Sequence, residues 1–377
     1  MSGSIDGGAH TTGDSLTGAG SASATTVANV TGGITNVENI TGAGTFTGSG
    51  LFDITGADTG TVNFVSFTGY SSLQGTDGSD DTFQFAAIGS ISGTVDGGTG
   101  TDTLDYTALA TDLSINLQTG AAPSINGGLA GGFSGIETLN SGLGNDTLIG
   151  RNAANAWSLN TADAGTINGT FTFTGVENLT GGISTDAFTI QSGATLTGSI
   201  DGAAGTDTLV KVDGANTWNI TVANSGTVDT IGGTFSNMEN LTGGTGTDDF
   251  ILAASATGAG LTGSIDGGAG LNSITHLDGV NSWSITSDGG GTVTRTGGFS
   301  NIANLTGGSG VDTFTISSAH TGIIDAGAGN DILNLNASVT GTLLGGAGDD
   351  LIDVLDVTGT SVTVSAVSYT HLRAHET

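Results

Sequence analysis

Residues 239–252 read ENLTGGTGTDDFIL, three glycines and two aspartates set among strand formers, and the fold turns on how this stretch repeats. FTGVENLTGG ends at residue 182, FSNMENLTGG at 244 and FSNIANLTGG at 308, which places Leu179, Leu241 and Leu305 at intervals of 62 and 64 residues. The tryptophans keep step: Trp157, Trp218 and Trp283 are 61 and 65 apart, as Asp201 and Asp266 are 65 apart. Weaker copies stand at 36–43 (NVENITGA) and 93–100 (GTVDGGTG). Self-similarity at a fixed interval is the mark of a repeat architecture.

Each long unit subdivides. The aspartate or asparagine closing each glycine-rich stretch falls at Asp81, Asp102, Asp146, Asp186, Asp207, Asp248, Asn272, Asp312, Asp331 and Asp350, with gaps close to one or two multiples of about 20 residues. A tryptophan follows 11 residues after positions 146, 207 and 272. A GTV or GTI at 165–167, 226–228 and 291–293 then marks a skipped corner. The 62–65-residue repeat therefore reads as three elementary periods. Between corners the chain alternates, as in Trp218-x-Ile220-x-Val222, Phe314-x-Ile316 and Val362-x-Val364. Period two with aromatic and β-branched residues predicts half-buried strands. Helical periodicity is absent, and glycine interrupts nearly every ten residues, at about 1 kcal/mol each in a helix.

The expected fold is all-β: a parallel β-helix, or β-solenoid, of about sixteen ~20-residue coils, which at ~4.8 Å per coil makes a rod of roughly 75–80 Å. One coil cannot bury its apolar residues; a stack buries them in one column. Residues 1–366 are expected to form a single array with Leu179, Leu241 and Leu305 on one side. An antiparallel sandwich is the main rival, but hairpins do not predict identical side chains at one-coil spacing.

Several corners match G-G-x-G-x-D-x-U-x, with U a large apolar residue: GGTGTDTLD (97–105), GGTGTDDFI (243–251), GGSGVDTFT (307–315) and GGAGDDLID (345–353). This nonapeptide resembles the repeat of RTX (haemolysin-type) secreted proteins. The resemblance implies Ca²⁺ held by aspartate carboxylates and backbone carbonyls of stacked corners, oxygen ligands suited to a hard cation. The candidate calcium ligands are Asp312, Asp331, Asp350, Asp248 and Asp102. The match is incomplete. Most nonapeptides stand alone, GGISTDAFT (181–189) lacks the third glycine, GAAGTDTLV (202–210) the second, and GGAGLNSIT (267–275) has Asn272, which carries no charge. Only 307–353 is regular, with Asp312, Asp331 and Asp350 spaced 19 and 19. Stacked carboxylates ~5 Å apart repel by about 3 kcal/mol at an effective dielectric of about 20. Either they face water, a cation lies between them, or the aspartates cap turns by accepting backbone N–H groups. The asparagines Asn237, Asn240, Asn301 and Asn304 are expected to form a side-chain ladder, and the tryptophans to pack in the core.

Thirty-five acids against 4 bases give a net charge of −31. That repels nucleic acid and anionic membranes and favours cations. There is no cysteine, and no apolar run of about 18 residues that would span a bilayer. Residues 1–9 begin inside a repeat, SGSIDGGA matching TGSIDGGA at 262–269, so the chain reads as a fragment continuing into further repeats. Residues 367–377, VSYTHLRAHET, read as a translated sequencing adapter and are expected to be disordered; they are set aside from fold reasoning.

Nothing singles out a catalytic constellation. Arg151, Lys211 and Arg295 stand at dissimilar points of the repeat, and the histidines are isolated. Residues 106–135, with Tyr106 and Pro123, are the nearest thing to a break in the pattern. Residues 1–366 as a whole resemble the repeat regions of large bacterial adhesins, filamentous-haemagglutinin-like and RTX-like. The resemblance implies a non-catalytic, extracellular or cell-surface stalk or adhesive surface whose glycan or protein receptor is unspecified. The alternatives are a calcium-responsive module that folds on export and a polysaccharide-active enzyme.

Overall fold

The computed structural model describes residues 39–118 except 64, and 129–354 except 254–257, 259 and 278. It also describes the backbone of short strands at 5–6, 15–17, 22–23, 34–35, 124–125 and 371–374. All regular structure among the described residues is β, and most pairings are parallel. The chain divides into two compact units, residues 1–157 with 162–182 and residues 158–161 with 183–377.

In the first unit, strands Leu51–Gly56, Thr82–Phe85, Thr103–Asp105, Thr138–Asn140 and Phe171–Thr174 pair in parallel in that order. Period-two sequence points every second residue inward, so Phe52, Phe83, Leu104, Leu139 and Phe173 stack in register, each 0% exposed. Another parallel sheet stacks Phe46, Leu73, Val95 and Phe133, and a third aligns Ile115, Leu148 and Leu179.

The second unit repeats the scheme with two sheets between which the chain passes to and fro. One aligns Phe188, Leu209, Leu241, Ile265 and Phe299. The other aligns Trp218, Phe250, Ile274, Leu305, Ile324 and Leu343. A further run stacks Trp283, Phe314, Leu333 and Ile352. The indole of Trp218 lies 5.5 Å from the Phe250 ring at 15°, and Trp283 lies 5.1 Å from Phe314 at 9°. All three tryptophans are buried, in keeping with their expected place in the core. In both units this is a repeat-like β-solenoid.

Two expectations are corrected. The GTV segments are not skipped corners. Ser225–Val228 is an antiparallel strand inserted between Asn216–Val222 and Phe235–Ser236, and Gly290–Val293 is inserted likewise between Ser282–Ser287 and Thr296–Ser300. Glycine is required there by contact: a Cβ on Gly226 would meet the Asn219 carbonyl oxygen at 2.0 Å and the Phe235 ring at 2.9 Å. Leu241 and Leu305, moreover, do not share a side but lie in different sheets, as do Trp218 and Trp283. From Leu241 to Leu305 the chain crosses between sheets five times, because the inserted strand and its two partners stay in one sheet. An odd number of crossings reverses the side. The ladder principle survives, but each column is built from different members of the repeat.

Rungs are therefore uneven, 19 residues from Asp312 to Asp331 and from Asp331 to Asp350, and as many as 38 from Val95 to Phe133. In the tail set aside above, the backbone of His371–Ala374 pairs in parallel with Leu351–Val354. Pro123 and His10 lie outside the described residues.

Candidate functional site

The glycine–aspartate corners are the only repeated clustering of chemistry-bearing side chains that the sequence singled out, and residues 97–102 show how one is built. Asp102 precedes the strand Thr103–Asp105, and its carboxyl folds back over the start of its own corner. A Cβ on Gly97 would meet Asp102 Oδ2 at 2.7 Å and the Gly135 carbonyl oxygen of the next rung at 1.9 Å. Gly98 takes φ +88°, a conformation that costs an L-residue about 1–2 kcal/mol. A Cβ on Gly100 would lie 2.1 Å from the Ser79 carbonyl oxygen of the rung before. One glycine clears the carboxyl, one turns the chain, and one lets two rungs approach. Ala326 stands at the first of these places in the Asp331 corner and is buried there.

Ala203 stands at the second place, with φ +67°. Ala203→Gly is accordingly expected to stabilise the second unit by about 1 kcal/mol, read as a rise in the urea midpoint with unchanged m-value.

Three of the aspartates cap their own turns as expected: Thr76 N–H donates to Asp81 Oδ2 (2.8 Å), Gly142 N–H to Asp146 Oδ2 (3.0 Å) and Gly244 N–H to Asp248 Oδ2 (3.0 Å). Most of the corner aspartates also reach across to a neighbouring rung, where Oδ1 accepts the backbone N–H of the residue in the same structural position. Asp81 N–H donates to Asp102 Oδ1 (2.7 Å), Asp186 N–H to Asp207 (2.7 Å), Asn281 N–H to Asp312 (2.8 Å), Asp312 N–H to Asp331 (2.7 Å) and Asp331 N–H to Asp350 (3.0 Å). A hydrogen bond to an ionised acceptor is worth about 1.5–3 kcal/mol net, and each of these ties one rung to the next.

Among the five candidate calcium ligands, Asp312, Asp331 and Asp350 do fall in one column, joined as just described. Asp102 belongs to a column of the first unit, and Asp248 to another of the second. All five are 0–1% exposed. Asp248 has both oxygens engaged, Oδ1 by Asn216 Nδ2 (2.6 Å) and Oδ2 by Gly244 N–H (3.0 Å). In Asp102, Asp207, Asp312, Asp331 and Asp350 the second oxygen is buried without a hydrogen-bond partner. Among the described residues no three acidic or histidine side chains converge on one point.

Three members of the columns escaped the sequence reading. Glu137, Glu177 and Glu239 close them: Glu137 Oε2 accepts from Asp102 N–H (2.9 Å), Glu177 Oε2 from Asp146 N–H (2.6 Å) and Glu239 Oε2 from Asp207 N–H (2.7 Å). The signal was present, since ETL, ENL and DTL are one phrase with an acid immediately before the strand. At Asn272 and the next rung's Ala303 neither residue is acidic. The expected asparagine ladder links rungs through other partners: Asn237 Nδ2 donates to Asp201 Oδ1 (2.7 Å), Asn301 Nδ2 to Asp266 Oδ1 (2.6 Å), and Asn240 Oδ1 accepts from Ser264 N–H (3.0 Å).

Removal from water raises the Asp102 and Asp312 carboxyls above the usual range and pushes those of Asp207 and Asp331 up to about 6, against the pull of the backbone N–H each accepts. Acidic neighbours add to the rise, Asp186, Glu239 and Asp201 around Asp207, and Asp312, Asp350 and Asp325 around Asp331.

Elsewhere, Tyr106 is fully buried and stacks on Phe85, ring centroids 4.5 Å apart. Arg295 lines an open recess with Ala223, Gly258, Leu261 and Thr262, and no acid is among the described residues lining it. Compared with protein-family models and with curated proteins, the chain matches none.

Proposed function

We propose that this chain is a non-catalytic structural or adhesive repeat segment of an exported bacterial surface protein, a stack of about sixteen coils that holds or presents a binding surface. One observation carries the reading. The acids concentrated at the corners are spent on backbone N–H groups of neighbouring rungs, as in Asp312, Asp331 and Asp350. Groups committed to holding coil against coil serve cohesion, which is what a load-bearing or surface-presenting array needs. The repeat-level likeness to bacterial adhesins supports extracellular placement and a glycan or protein receptor. The purified chain is expected to release no new reducing ends and no unsaturated products from acidic or neutral polysaccharides; either product would overturn the reading in favour of an enzyme.

A calcium-responsive module is the second reading, favoured by the unpaired Oδ2 atoms of Asp312, Asp331 and Asp350. In that case circular dichroism in EGTA shows a disordered chain that becomes β-rich in millimolar Ca²⁺. A chain equally β-rich and heat-stable in both media rules out obligate calcium.

A further inference from the structure

The corner that has lost its aspartate shows what the others lack. Asn272 accepts Asp248 N–H on Oδ1 (2.9 Å), as the aspartates do, and its Nδ2 donates to the Asn301 carbonyl oxygen of the next rung (3.0 Å). Both the amide nitrogen and that carbonyl crowd Gly267: a Cβ there would meet Asn301 O at 2.3 Å and Asn272 Nδ2 at 2.6 Å. The Asp207 corner has the same geometry. A Cβ on Gly202 would meet Asn237 O at 2.2 Å and Asp207 Oδ2 at 2.7 Å. Asn237 and Asn301 are the same residue of the repeat, both with positive φ. Where Asn272 presents a donor to a carbonyl, ionised Asp207 presents a second acceptor. Its Oδ2 is buried and unpartnered, and the side chain is 0% exposed. The charged groups acting on it are Asp186 from the preceding rung, Glu239 from the following one and Asp201 from the strand Ile200–Asp201, all acidic.

We infer that Asp207 is a proton-binding site built into the second unit: a proton on Oδ2 makes the carboxyl a donor to the Asn237 carbonyl oxygen, completing the corner that asparagine completes at 272, so that this unit is most stable in mildly acidic medium. The bond formed is O–H···O=C, and the proton comes from solvent with no other group changed. The carboxyl's raised pKa, about 6 against an ordinary 3.8, agrees. The folded state binds a proton that the unfolded state releases. The site's stabilisation is thus full below about pH 4 and is lost as pH rises to about 6.

The test compares the full chain with its Asp207→Asn and Asp207→Ala variants by thermal melting in chelator between about pH 4 and pH 7. The amide donates without titrating, so Asp207→Asn is expected to melt higher than the parent at about pH 7, and its midpoint to fall less than the parent's as pH rises. Asp207→Ala, which also removes the acceptor for Asp186 N–H, is expected to melt below both at every pH. An Asp207→Asn variant that melts below the parent at about pH 7, or whose profile runs parallel to the parent's, overturns the inference. Carboxyl ¹³C titration of the folded parent supplies a readout that does not depend on the variants. A midpoint near 6 for Asp207 supports the proton site, and a midpoint near 3.8 overturns it.

Discussion

Trp218→Ala is expected to lower the unfolding free energy of the second unit by about 3–5 kcal/mol, the range for deleting a large buried aromatic. The indole is 0% exposed, stacks on Phe250 in the next rung and meets Phe235 edge-on at 6.3 Å. Asn216–Val222, the strand that carries it, pairs with the inserted antiparallel strand Ser225–Val228 on one side and with Asp248–Leu252 on the other. A cavity at this position therefore loosens the place where the ladder changes from antiparallel to parallel pairing. Trp218→Phe keeps a ring in the column and is expected to recover more than half of the loss. Urea unfolding followed by far-ultraviolet circular dichroism reports both variants; a Trp218→Ala midpoint equal to the parent's would show that the indole is not part of the packed column.

Gly329→Ala is expected to cost about 3 kcal/mol or more, combining backbone strain of about 1–2 kcal/mol with a contact that only rung separation can relieve. Gly329 has φ +150°, and a Cβ there would lie 2.1 Å from the Gly310 carbonyl oxygen of the preceding rung. That oxygen belongs to the backbone and cannot rotate away. Separating the rungs would also stretch the bond from Asp312 N–H to Asp331 Oδ1. Gly193→Ala is the control: φ is +74°, but nothing lies within 4 Å of the added methyl group. It is expected to cost only the strain, about 1–2 kcal/mol. Equal midpoints for the two variants would refute the proposal that close approach of rungs, rather than turn geometry, demands the glycine. The expected ordering reverses the usual reading of such corners, in which every glycine serves to make a turn.

Much of the fold was legible. Alternation such as Trp218-x-Ile220 marks strands because side chains on extended backbone point to opposite faces, and glycine-rich corners at recurring spacing favour stacked rungs over hairpins. The register of Phe314, Leu333 and Ile352 follows directly from the 19-residue spacing of Asp312, Asp331 and Asp350. The GTV segments misled because their residues, Gly226, Thr227 and Val228, read equally well as a corner or a strand. The antiparallel pairing of Ser225–Val228 with Asn216–Val222, with the Phe235 ring lying over Gly226, distinguishes the two. That single inserted strand altered the number of crossings per repeat, and so reversed the side on which Leu305 lies relative to Leu241.

The candidate site was legible as a set of residues but not as an arrangement. Asp102, Asp248, Asp312, Asp331 and Asp350 stand out by their glycine context, and their spacing places them at rung starts. Glu239 does not stand out, because its role appears only when the register sets it beside Asp207.

What the amino-acid sequence determined alone is local and periodic: which residues extend, which face is apolar, and where the chain must turn, since these follow from side-chain shape and the permitted range of φ. Tertiary structure decided what each corner aspartate bonds. The partner of its Oδ1 is 19 or more residues away, and the rung lengths that bring the two together vary with every inserted strand. The rise in such a carboxyl's pKa was decided there as well, because burial and the neighbouring acids are properties of the stack and not of any one repeat.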